Sequence, residues 1–391
     1  MTVIAPEDAP RLSRFEIVRP AYVTSQNATL DWLARAHTLA EKGRGPERFD
    51  DDGESFHVHL RRLIGRVACA PHKLAERGHE VADFAHTRWD EMDIYDVHRD
   101  PQGAGTAART AFFARVASRA FERLYEGENE PPRELVHVTC TGYASPSAAQ
   151  RLVANKGWGS RTRVTHAYHM GCYAALPAAR IAAGLLASAK GPARADVVHT
   201  ELCSLHLQPC EHEAEQLVVQ SLFADGHARY AVERGVSGRP SLAIVAEREE
   251  IVPDSTESMT WTCGDRGMHM TLSRDVPSKI AANVRAFVRA LFEDAGLSFE
   301  AHRARTLFAV HPGGPRVVDA VQRALELGDV QLEASREVLL RFGNMSSATL
   351  PHVWRAIVLD GAIPDGTLVA SLAFGPGLTV SGALMVREGC R

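Results

Sequence analysis

The sequence lacks the features that would place it in a membrane or on a nucleic acid. No uninterrupted apolar run approaches the ~18 residues that a bilayer-spanning helix needs. There is no basic excess either, because 44 lysines and arginines stand against 48 aspartates and glutamates, for a formal net charge of -4. A nucleic-acid-binding protein would usually carry a surplus of basic residues. We therefore expect neither a membrane nor a nucleic acid among the partners.

Two further absences bear on the compartment. The N-terminus has acidic residues and prolines where a signal peptide would have a basic start and an apolar core. The seven cysteines are odd in number, and their positions from Cys69 to Cys390 lack the spacing of a disulfide framework. We therefore expect reduced thiols in a cytoplasmic protein.

What the chain does contain is the composition of a globular protein. Of its 391 residues, 45% are hydrophobic and 24% are charged, which is enough to bury one large core or two ordinary domains. Helical and strand-like segments alternate, and each half ends in strands. This order is typical of an α/β fold, here with a faint internal duplication. We predict an N-terminal half over residues 1–238 and a C-terminal half over residues 239–391.

The segment from Arg163 to Lys190 carries the first chemical signal, which centres on Cys172. An extended run ends in His-Met-Gly, and an alanine-rich helix is predicted to begin at or just after this cysteine. Gly171 permits the sharp turn that places a side chain at the start of the helix. The positive end of the helix dipole would favour the thiolate and make the sulfur a nucleophile. The alternative is a buried cysteine that packs as a small hydrophobic residue.

Two other polar residues stand at the ends of predicted elements. His311 ends an apolar strand before Pro-Gly-Gly, and Asn344 follows Gly343 at a break between helices. Either residue alone is usually structural at such a position. A cysteine and a histidine together form an activated nucleophile, and histidine with asparagine can hydrogen-bond a thioester oxygen. The combination therefore predicts that Cys172, His311 and Asn344 meet in one buried site.

The motifs around these residues identify a family. HMGCYAALPAARIA, FAVHPGGPRVVDAV, SREVLLRFGNMSSATL and AFGPGLTV stand in this order, and the chain resembles the type III polyketide synthases, the chalcone synthase-like branch of the thiolase-fold condensing enzymes. The resemblance implies Cys172 as nucleophile with His311 and Asn344 as partners. It also implies a five-layer αβαβα fold with two pseudo-duplicated halves, and a homodimer.

The chain departs from the plant pattern at two positions that border the cavity. Chalcone synthases usually have two bulky phenylalanines at the junction of tunnel and cavity, and our alignment places His206 and Met270 there. Smaller or more flexible gates would suit long or unusual acyl chains rather than an aromatic starter.

The resemblance assigns further residues to the substrate. Cys140 and Thr141 would line the cavity, and Ser145 would replace an apolar residue of a loop that reaches into the partner subunit's cavity. Gly375 and Pro376 would form a structural turn that borders the cavity, and this interpretation is preferred to a phosphate loop because no Lys-Ser/Thr follows.

The resemblance also implies how substrates arrive. They would be carried on coenzyme A or on the phosphopantetheine of an acyl carrier protein. Arg62 and Arg66 fall near the positions that hold the carrier phosphates in relatives, and a solvated helix face is the alternative. No metal, nicotinamide or flavin is implied.

The segment HAYHMGCYAA and the altered residues at the two gate positions more narrowly resemble those of bacterial ketosynthases, which join two β-ketoacyl chains and release an α-pyrone. The first alternative is an iterative malonyl-CoA-using synthase that makes alkylpyrones or resorcinols. A ketoacyl-carrier-protein synthase III-like enzyme with a linear product is a second alternative. From a different class comes a non-catalytic paralogue that only binds acyl carrier protein.

Other histidines and cysteines carry weaker signals. A zinc-like pattern, C-x2-H-x3-C-x-H, is formed by Cys203, His206, Cys210 and His212. Because it lies on a strand-to-loop passage with no second pair elsewhere, we predict no metal site there. His166 and His169 flank the nucleophile, and we expect them to pack or to line the cavity rather than to act as acid–base groups.

Overall fold

The computed structural model describes residues 7–45, 54–188, 193–234 and 238–389. The strands within these ranges are β1 (Arg11–Val18), β2 (Tyr22–Ser25), β3 (Glu76–His79), β4 (Glu134–Thr139), β5 (Arg163–Tyr168), β6 (Arg194–Leu202), β7 (Asp225–Glu233), β8 (Ser241–Ile251), β9 (Met259–Gly264), β10 (Gly267–Leu272), β11 (Leu307–Val310), β12 (Leu368–Gly375) and β13 (Thr379–Glu388). The helices are α1 (Gln26–Gly43), α2 (Glu54–Val67), α3 (Thr106–Leu124), α4 (Ala148–Asn155), α5 (Ala175–Leu186), α6 (Ala214–Leu222), α7 (Val276–Asp294), α8 (Phe299–His302), α9 (Pro315–Leu325), α10 (Glu333–Phe342) and α11 (Thr349–Leu359).

Nine strands form one sheet in the order β11-β12-β13-β8-β1-β7-β6-β4-β5. In the N-terminal half, β4 pairs in parallel with β5 and β6, and β7 is antiparallel to β6. In the C-terminal half, β11 and β12 are parallel, and β13 pairs antiparallel with β12 and β8. β1 pairs with both β7 and β8 and so joins the two sets of strands. Each half therefore combines parallel strands with antiparallel ones at the centre of the sheet.

Buried side chains on opposite faces of these strands divide the molecule into five layers. Along β12, for example, Leu368, Ala370 and Leu372 pack with the outer helices α7 and α9, whereas Val369 and Ala373 pack toward the inner helices α5 and α11. In the N-terminal half, Leu135 of β4 packs with the outer helices α1, α3 and α4. Strands covered on both faces are apolar at consecutive positions. The N-terminal and C-terminal sets of strands, which β1 links into one continuous sheet, count as the two sheet layers. The resulting order of helix, sheet, helix pair, sheet and helix confirms the predicted αβαβα fold.

The inner layer explains the composition of the segment around Cys172. α5 is buried at Ala175, Ala178, Ala179 and Ala182, and such small side chains let a helix lie between two sheets. The helix begins at Ala175, three residues beyond the cysteine, rather than at the cysteine itself. Cys172 therefore lies in the turn that precedes the helix.

Two features of the fold do not follow from the sequence pattern. The chain forms two strands before α1, because β1 pairs between β7 and β8 while β2 pairs with β3. The β9–β10 hairpin was not anticipated. Both depend on tertiary pairing that local propensity does not encode. The predicted boundary at residue 238 stays a prediction, since residues 235–237 lie outside the described ranges.

None of the described helices is long and apolar enough to cross a membrane. The six cysteines in the described part of the chain are free thiols. They are Cys69, Cys140, Cys172, Cys203, Cys210 and Cys263.

Candidate active site

Cys172 is held in a tight turn next to the end of β12. Gly171 adopts φ +78°, a left-handed conformation that glycine enters without strain. A Cβ atom on Gly171 would lie 2.7 Å from Cδ of Pro376, and Tyr173 packs against Gly375 in the same way. The turn and the Gly375-Pro376 segment therefore support each other, as expected of a structural turn that borders the site.

Burial dominates the ionisation of this thiol. It raises the pKa of Cys172 to about 12, while hydrogen bonds with Ser346 and Asn344 lower it and the nearby Glu201 raises it. The helix alone was expected to favour the thiolate, and that expectation is corrected here. The sulfur is buried and lies outside the first turn of α5, so the desolvation cost exceeds the dipole effect. A partner that accepts the proton is needed for nucleophilic attack.

Asn344 points its side chain toward the sulfur. The amide forms a hydrogen bond with the Cys172 thiol, and its Nδ2 also donates to the carbonyl of Gly313 at 3.2 Å. Its Oδ1 accepts from the backbone N–H of Ser346 at 2.9 Å. A bridge between the backbones of Asn344 and Phe223 fixes the loop. The amide N–H groups are therefore oriented toward the nucleophile.

His311 lies at the end of β11, where its backbone N–H donates to the carbonyl of Leu372 at 2.7 Å. The ring lies beside Gly313, whose carbonyl accepts from Asn344. Within the described ranges, neither ring nitrogen has a hydrogen-bond partner, and the side chain is 2% exposed. Burial lowers the pKa of His311 to about 3, so the ring by itself is neutral. A buried imidazole with both nitrogens unpartnered can accept a proton at one nitrogen and donate a hydrogen bond to a substrate oxygen from the other.

The three residues thus converge through Asn344, which contacts the sulfur on one side and the loop after His311 on the other. No direct hydrogen bond joins the Cys172 sulfur to the His311 ring among the described residues. The structure therefore contains no thiolate–imidazolium ion pair between these two residues. Charging either group alone is opposed by burial, so proton transfer between them would have to create both charges together.

Sequence reasoning missed Ser346 and Glu201, which organise the floor of the site. Ser346 Oγ lies 3.0 Å from the sulfur of Cys140 and 3.8 Å from that of Cys172. Glu201 is fully buried and accepts from the Thr141 hydroxyl at 2.8 Å and from the Cys140 backbone N–H at 3.1 Å. Ser347 also donates to this carboxylate. An acidic residue near the end of the buried strand β6 was the available signal.

Cys140 and Thr141 are both buried, and Ser346 Oγ lies between the sulfurs of Cys140 and Cys172. Their side chains are hydrogen-bonded to Glu201 rather than free. Burial raises the pKa of Cys140 well above its usual value, and Glu201 adds to the effect. Cys140 is thus a neutral thiol in the resting site.

His206 and Met270 line one small cavity of about 40 Å³ together with Phe223. His206 is not flexible, because its Nε2 donates to the Thr141 carbonyl at 2.8 Å and its Nδ1 accepts from the Met268 N–H at 3.0 Å. Nor is the junction without a phenylalanine, since Phe223 borders both this cavity and the Asn344 loop. Hydrogen bonds therefore hold His206 in place at this position, and Met270 is the unbranched, adaptable member of the pair.

The other predicted positions lie outside this centre. Ser145 is exposed, two residues before Ser147, whose hydroxyl contacts His166 of the edge strand β5. Arg62 and Arg66 are exposed on α2, and within the described ranges neither is in a salt bridge or hydrogen bond, whereas their neighbour Arg61 pairs with Asp31. These two arginines remain available for an anionic partner.

The zinc-like pattern is dispersed by the fold. His206 bonds the gate backbone, His212 bonds His37 and Glu41, and the Cys210 thiol contacts the Pro101 carbonyl. No group of three or more ligating side chains suited to a metal ion occurs in the described part of the chain. His166 contacts the Ser147 hydroxyl and His169 contacts Tyr143, so both pack at the surface around β5.

Substitution of Gly171 by alanine is expected to destabilise the protein by about 1–2 kcal/mol, because the left-handed backbone and the contact with Pro376 both oppose a Cβ atom. Urea unfolding measures this change. Gly184→Ala is the matched control on α5, where nothing lies within 4 Å of the added Cβ, and a gain of up to about 1 kcal/mol is expected. Equal effects of the two substitutions would contradict the assigned turn.

Comparison with known proteins shows that two family models match this chain. The family model described as "Chalcone and stilbene synthases, N-terminal domain" matches residues 117–235, and its C-terminal counterpart matches residues 243–388. Together they span more than half of the chain. A curated relative, "Probable polyketide synthase 1" of Dictyostelium discoideum, is 30% identical over 263 residues, which cover 66% of this chain and 8% of that protein.

Solved structures share the fold. PKS-I from the brown alga Ectocarpus siliculosus aligns with a TM-score of 0.82 and 23% identity, over 98% of this chain and 99% of that one. The C-terminal type III polyketide synthase domain of Steely1 from Dictyostelium gives 0.79 and 22%, over 97% and 99%. Tetrahydroxynaphthalene synthase from Streptomyces coelicolor A3(2) gives 0.78 and 23%, also over 97% and 99%.

Proposed function

This chain belongs to the chalcone and stilbene synthase family, that of the type III polyketide synthases, and from that premise we propose that it joins two β-ketoacyl thioesters on Cys172 and releases an α-pyrone. The observation that carries the proposal is the pair of unpartnered ring nitrogens on buried His311, whose ring lies beside Gly313, while Asn344 links the Gly313 carbonyl to the Cys172 thiol. Buried donors without partners are costly unless a ligand uses them.

The first half-reaction is acyl transfer. The Cys172 thiol gives its proton to His311 as the sulfur attacks the carbonyl carbon of the first thioester. The tetrahedral oxyanion accepts hydrogen bonds, and the carrier thiol leaves with the proton from His311. Because burial opposes the thiolate and the imidazolium separately, the two charges form together and stay adjacent.

The second half-reaction forms the carbon–carbon bond. The second thioester places its carbonyl oxygen between the N–H groups of His311 and Asn344, which stabilise the enolate that forms as the other ring nitrogen of His311 takes up an α-proton. The enolate carbon attacks the acyl group on Cys172 and expels the sulfur, which takes that proton from His311 and becomes a thiol again. An enol oxygen of the joined chain then attacks the remaining thioester, which closes the pyrone ring and releases the second carrier.

An iterative malonyl-CoA-using synthase that makes alkylpyrones or resorcinols is the second candidate. Phe223 favours it, because a phenylalanine at the junction of tunnel and cavity is the arrangement that the resemblance associates with ordinary type III synthases. In that reaction the enolate forms by loss of CO2 from the extender. The two candidates share the acyl-enzyme and differ in the extender thioester that the enzyme accepts.

A homodimer is part of the proposal. β5 is the last strand of the nine-stranded sheet and has a paired neighbour on one side only. Exposed edge strands pair readily with a second copy. The loop with exposed Ser145 lies beside this edge, and in a dimer formed there it would reach the partner's cavity.

We also propose that the substrates arrive on coenzyme A or an acyl carrier protein in the cytoplasm, with no metal or redox cofactor. Exposed Arg62 and Arg66 would contact the phosphates of the carrier, since guanidinium groups match phosphate geometry. Free thiols in the described part of the chain fit a reducing compartment.

The experiment is mass spectrometry of the full chain after incubation with β-ketoacyl-CoA and with the β-ketoacyl carrier protein. One acyl adduct on the peptide that contains Cys172 is expected, and Cys172→Ala should abolish it. Cys140→Ala is the matched control, since it removes the neighbouring thiol and leaves the nucleophile. Absence of an adduct with every donor would favour a paralogue that only binds the carrier. A linear product would favour a ketoacyl-carrier-protein synthase III-like enzyme.

A further inference from the structure

A buried cation with unused hydrogen-bond donors borders the cavity at the gate. Arg77 of β3 is 1% exposed and lines the same cavity as His206, Phe223 and Met270. Its Nη1 donates to the carbonyls of Gln220 at 2.9 Å and Phe223 at 2.7 Å. Its Nε and Nη2 have no hydrogen-bond partner among the described residues. Two N–H-bearing atoms of a buried guanidinium are thus left for a ligand.

Most other polar side chains around this cavity already have partners. Gln216 donates to the Met270 carbonyl, Gln220 donates to the Gln208 carbonyl, and Trp261 donates to the Cys140 carbonyl. His79, stacked on Phe84, is the other lining residue with an unpartnered atom, its Nδ1. Among the residues that line this cavity, the side-chain atoms without a hydrogen-bond partner therefore belong to Arg77 and His79.

The local charge favours a neutral oxygen as the ligand rather than an anion. Burial lowers the pKa of Arg77 to about 9, and Cys69 and Asp225 act against this shift, so the guanidinium is still cationic near neutral pH. The carboxylate of Asp225 already balances that charge, and it is held by Ser204 and the Glu80 backbone N–H. A carbonyl oxygen accepts two N–H groups without adding a second negative charge.

Arg77 also packs against the loop that carries Asn344. A Cβ atom on Gly343, the residue before Asn344, would be 3.2 Å from Cγ of Arg77. Phe223, whose carbonyl Arg77 binds, bridges to Asn344 itself. The cavity of about 40 Å³ admits a group the size of a carbonyl or a water molecule. The side chain of Arg77 is therefore in direct contact with the Asn344 loop.

We infer that the free N–H groups of Arg77 bind the β-keto oxygen of the acyl chain carried by Cys172, and so select β-ketoacyl thioesters over saturated ones. This inference rests on the proposed function, because it assumes an acyl group on Cys172. It assigns a substrate-recognition role to a residue outside the Cys172, His311 and Asn344 trio. Recognition of a buried polar group discriminates strongly against an analogue that lacks the group, since the donors are then left unpaired.

The experiment compares the acylation of Cys172 by a β-ketoacyl thioester and by the saturated thioester of equal length, both on N-acetylcysteamine. In the wild type the ratio of the two rate constants should favour the β-ketoacyl donor. Arg77→Met should lower this ratio by about tenfold, since a charge-assisted hydrogen bond is lost while the saturated donor is little affected. Arg77→Lys keeps the positive charge but loses the paired N–H groups of the guanidinium, so it should give an intermediate ratio of the two rate constants.

Arg109→Met is the matched control. Arg109 is equally buried, but its N–H groups end on backbone carbonyls, among them those of Ala104 and Gln102. Its loss should slow both donors alike and leave the ratio unchanged. The same behaviour in Arg77→Met would mean a purely structural arginine and would overturn the inference.

A measurement on the wild type covers the case in which the Arg77 variants fail to fold. In the Cys172 adduct of a ¹³C-labelled β-ketoacyl chain, the keto C=O stretch should fall below its value for the free thioester in water. An equal or higher frequency would refute the contact with Arg77. If neither donor acylates Cys172 at all, the proposed function fails instead, so the two failures are distinguishable.

Discussion

Replacement of His311 by alanine is expected to abolish carbon–carbon bond formation. The imidazole is the nearby group that can take the thiol proton, and it is a donor to the enolate oxygen, so both half-reactions lose a participant. Burial raises the pKa of the Cys172 thiol to about 12 with His311 in place, so the sulfur needs a group that takes its proton as it attacks. Product formation from labelled thioesters, followed by chromatography and mass spectrometry, measures the effect. Normal turnover would contradict the mechanism.

Asn344→Ala is the graded comparison for His311→Ala. It removes one of the two donors but not the proton acceptor, so condensation should fall by about 100- to 1000-fold, or ~2.7–4 kcal/mol. Acylation of Cys172 should fall less than condensation does.

Alkylation of Cys172 by iodoacetamide separates the two roles of the imidazole. At neutral pH the rate should drop by about tenfold or more in His311→Ala, because the imidazole can take the thiol proton while the sulfur attacks the reagent. Exposed Cys263 serves as the internal control in the same sample. An unchanged ratio of the two alkylation rates would show that His311 does not activate the thiol.

Replacement of Glu201 by leucine is expected to lower the free energy of unfolding by about 3 kcal/mol or more. The carboxylate accepts hydrogen bonds from Thr141, Ser347 and the backbone of Cys140 in a fully buried position. Leucine would leave these donors unpaired, and each unpaired buried group costs about 1–3 kcal/mol. Chemical denaturation measures the change.

Glu337→Leu is the control for the Glu201 substitution. Glu337 is half exposed and pairs with Arg341 across one helical turn at 2.9 Å, so its loss should change the stability by less than about 1 kcal/mol. A similar cost at both positions would remove the special role assigned to the buried carboxylate.

Glu201→Gln has an opposite kinetic signature to His311→Ala. The carboxylate raises the pKa of the Cys172 thiol, so neutralising it should speed the alkylation of Cys172 in the folded variant at neutral pH. Slower alkylation would contradict the electrostatic assignment.

The proposals depend on how far the site is complete within one chain. Cys172, His311, Asn344, Ser346 and Glu201 all come from the same subunit and are buried. The Ser145 loop, in contrast, is exposed in the single chain. Acylation of Cys172 therefore depends on residues of one subunit, whereas the shape of the product cavity would also depend on the partner in the proposed dimer.

Much of this protein could be predicted from the sequence because the relevant signals are local. The alanine-rich helix after Cys172, the strand that ends at His311 and the break at Asn344 each follow from short-range patterns of apolar, glycine and proline residues. The motifs indicated the family and the five-layer fold, and comparison with known proteins confirms both.

Other properties were decided only by the tertiary structure. The pKa of Cys172 rises because distant strands bury the thiol and place Glu201 beside it, which a helix-dipole argument cannot contain. The rigidity of His206 and the presence of Phe223 at the gate depend on contacts between segments far apart in the chain. The sequence by itself determined which groups could react and the order of elements that carries them. Folding decided their ionisation, their hydrogen bonds and the two unused nitrogen atoms of the Arg77 guanidinium, because desolvation and long-range pairing exist only once the layers have packed.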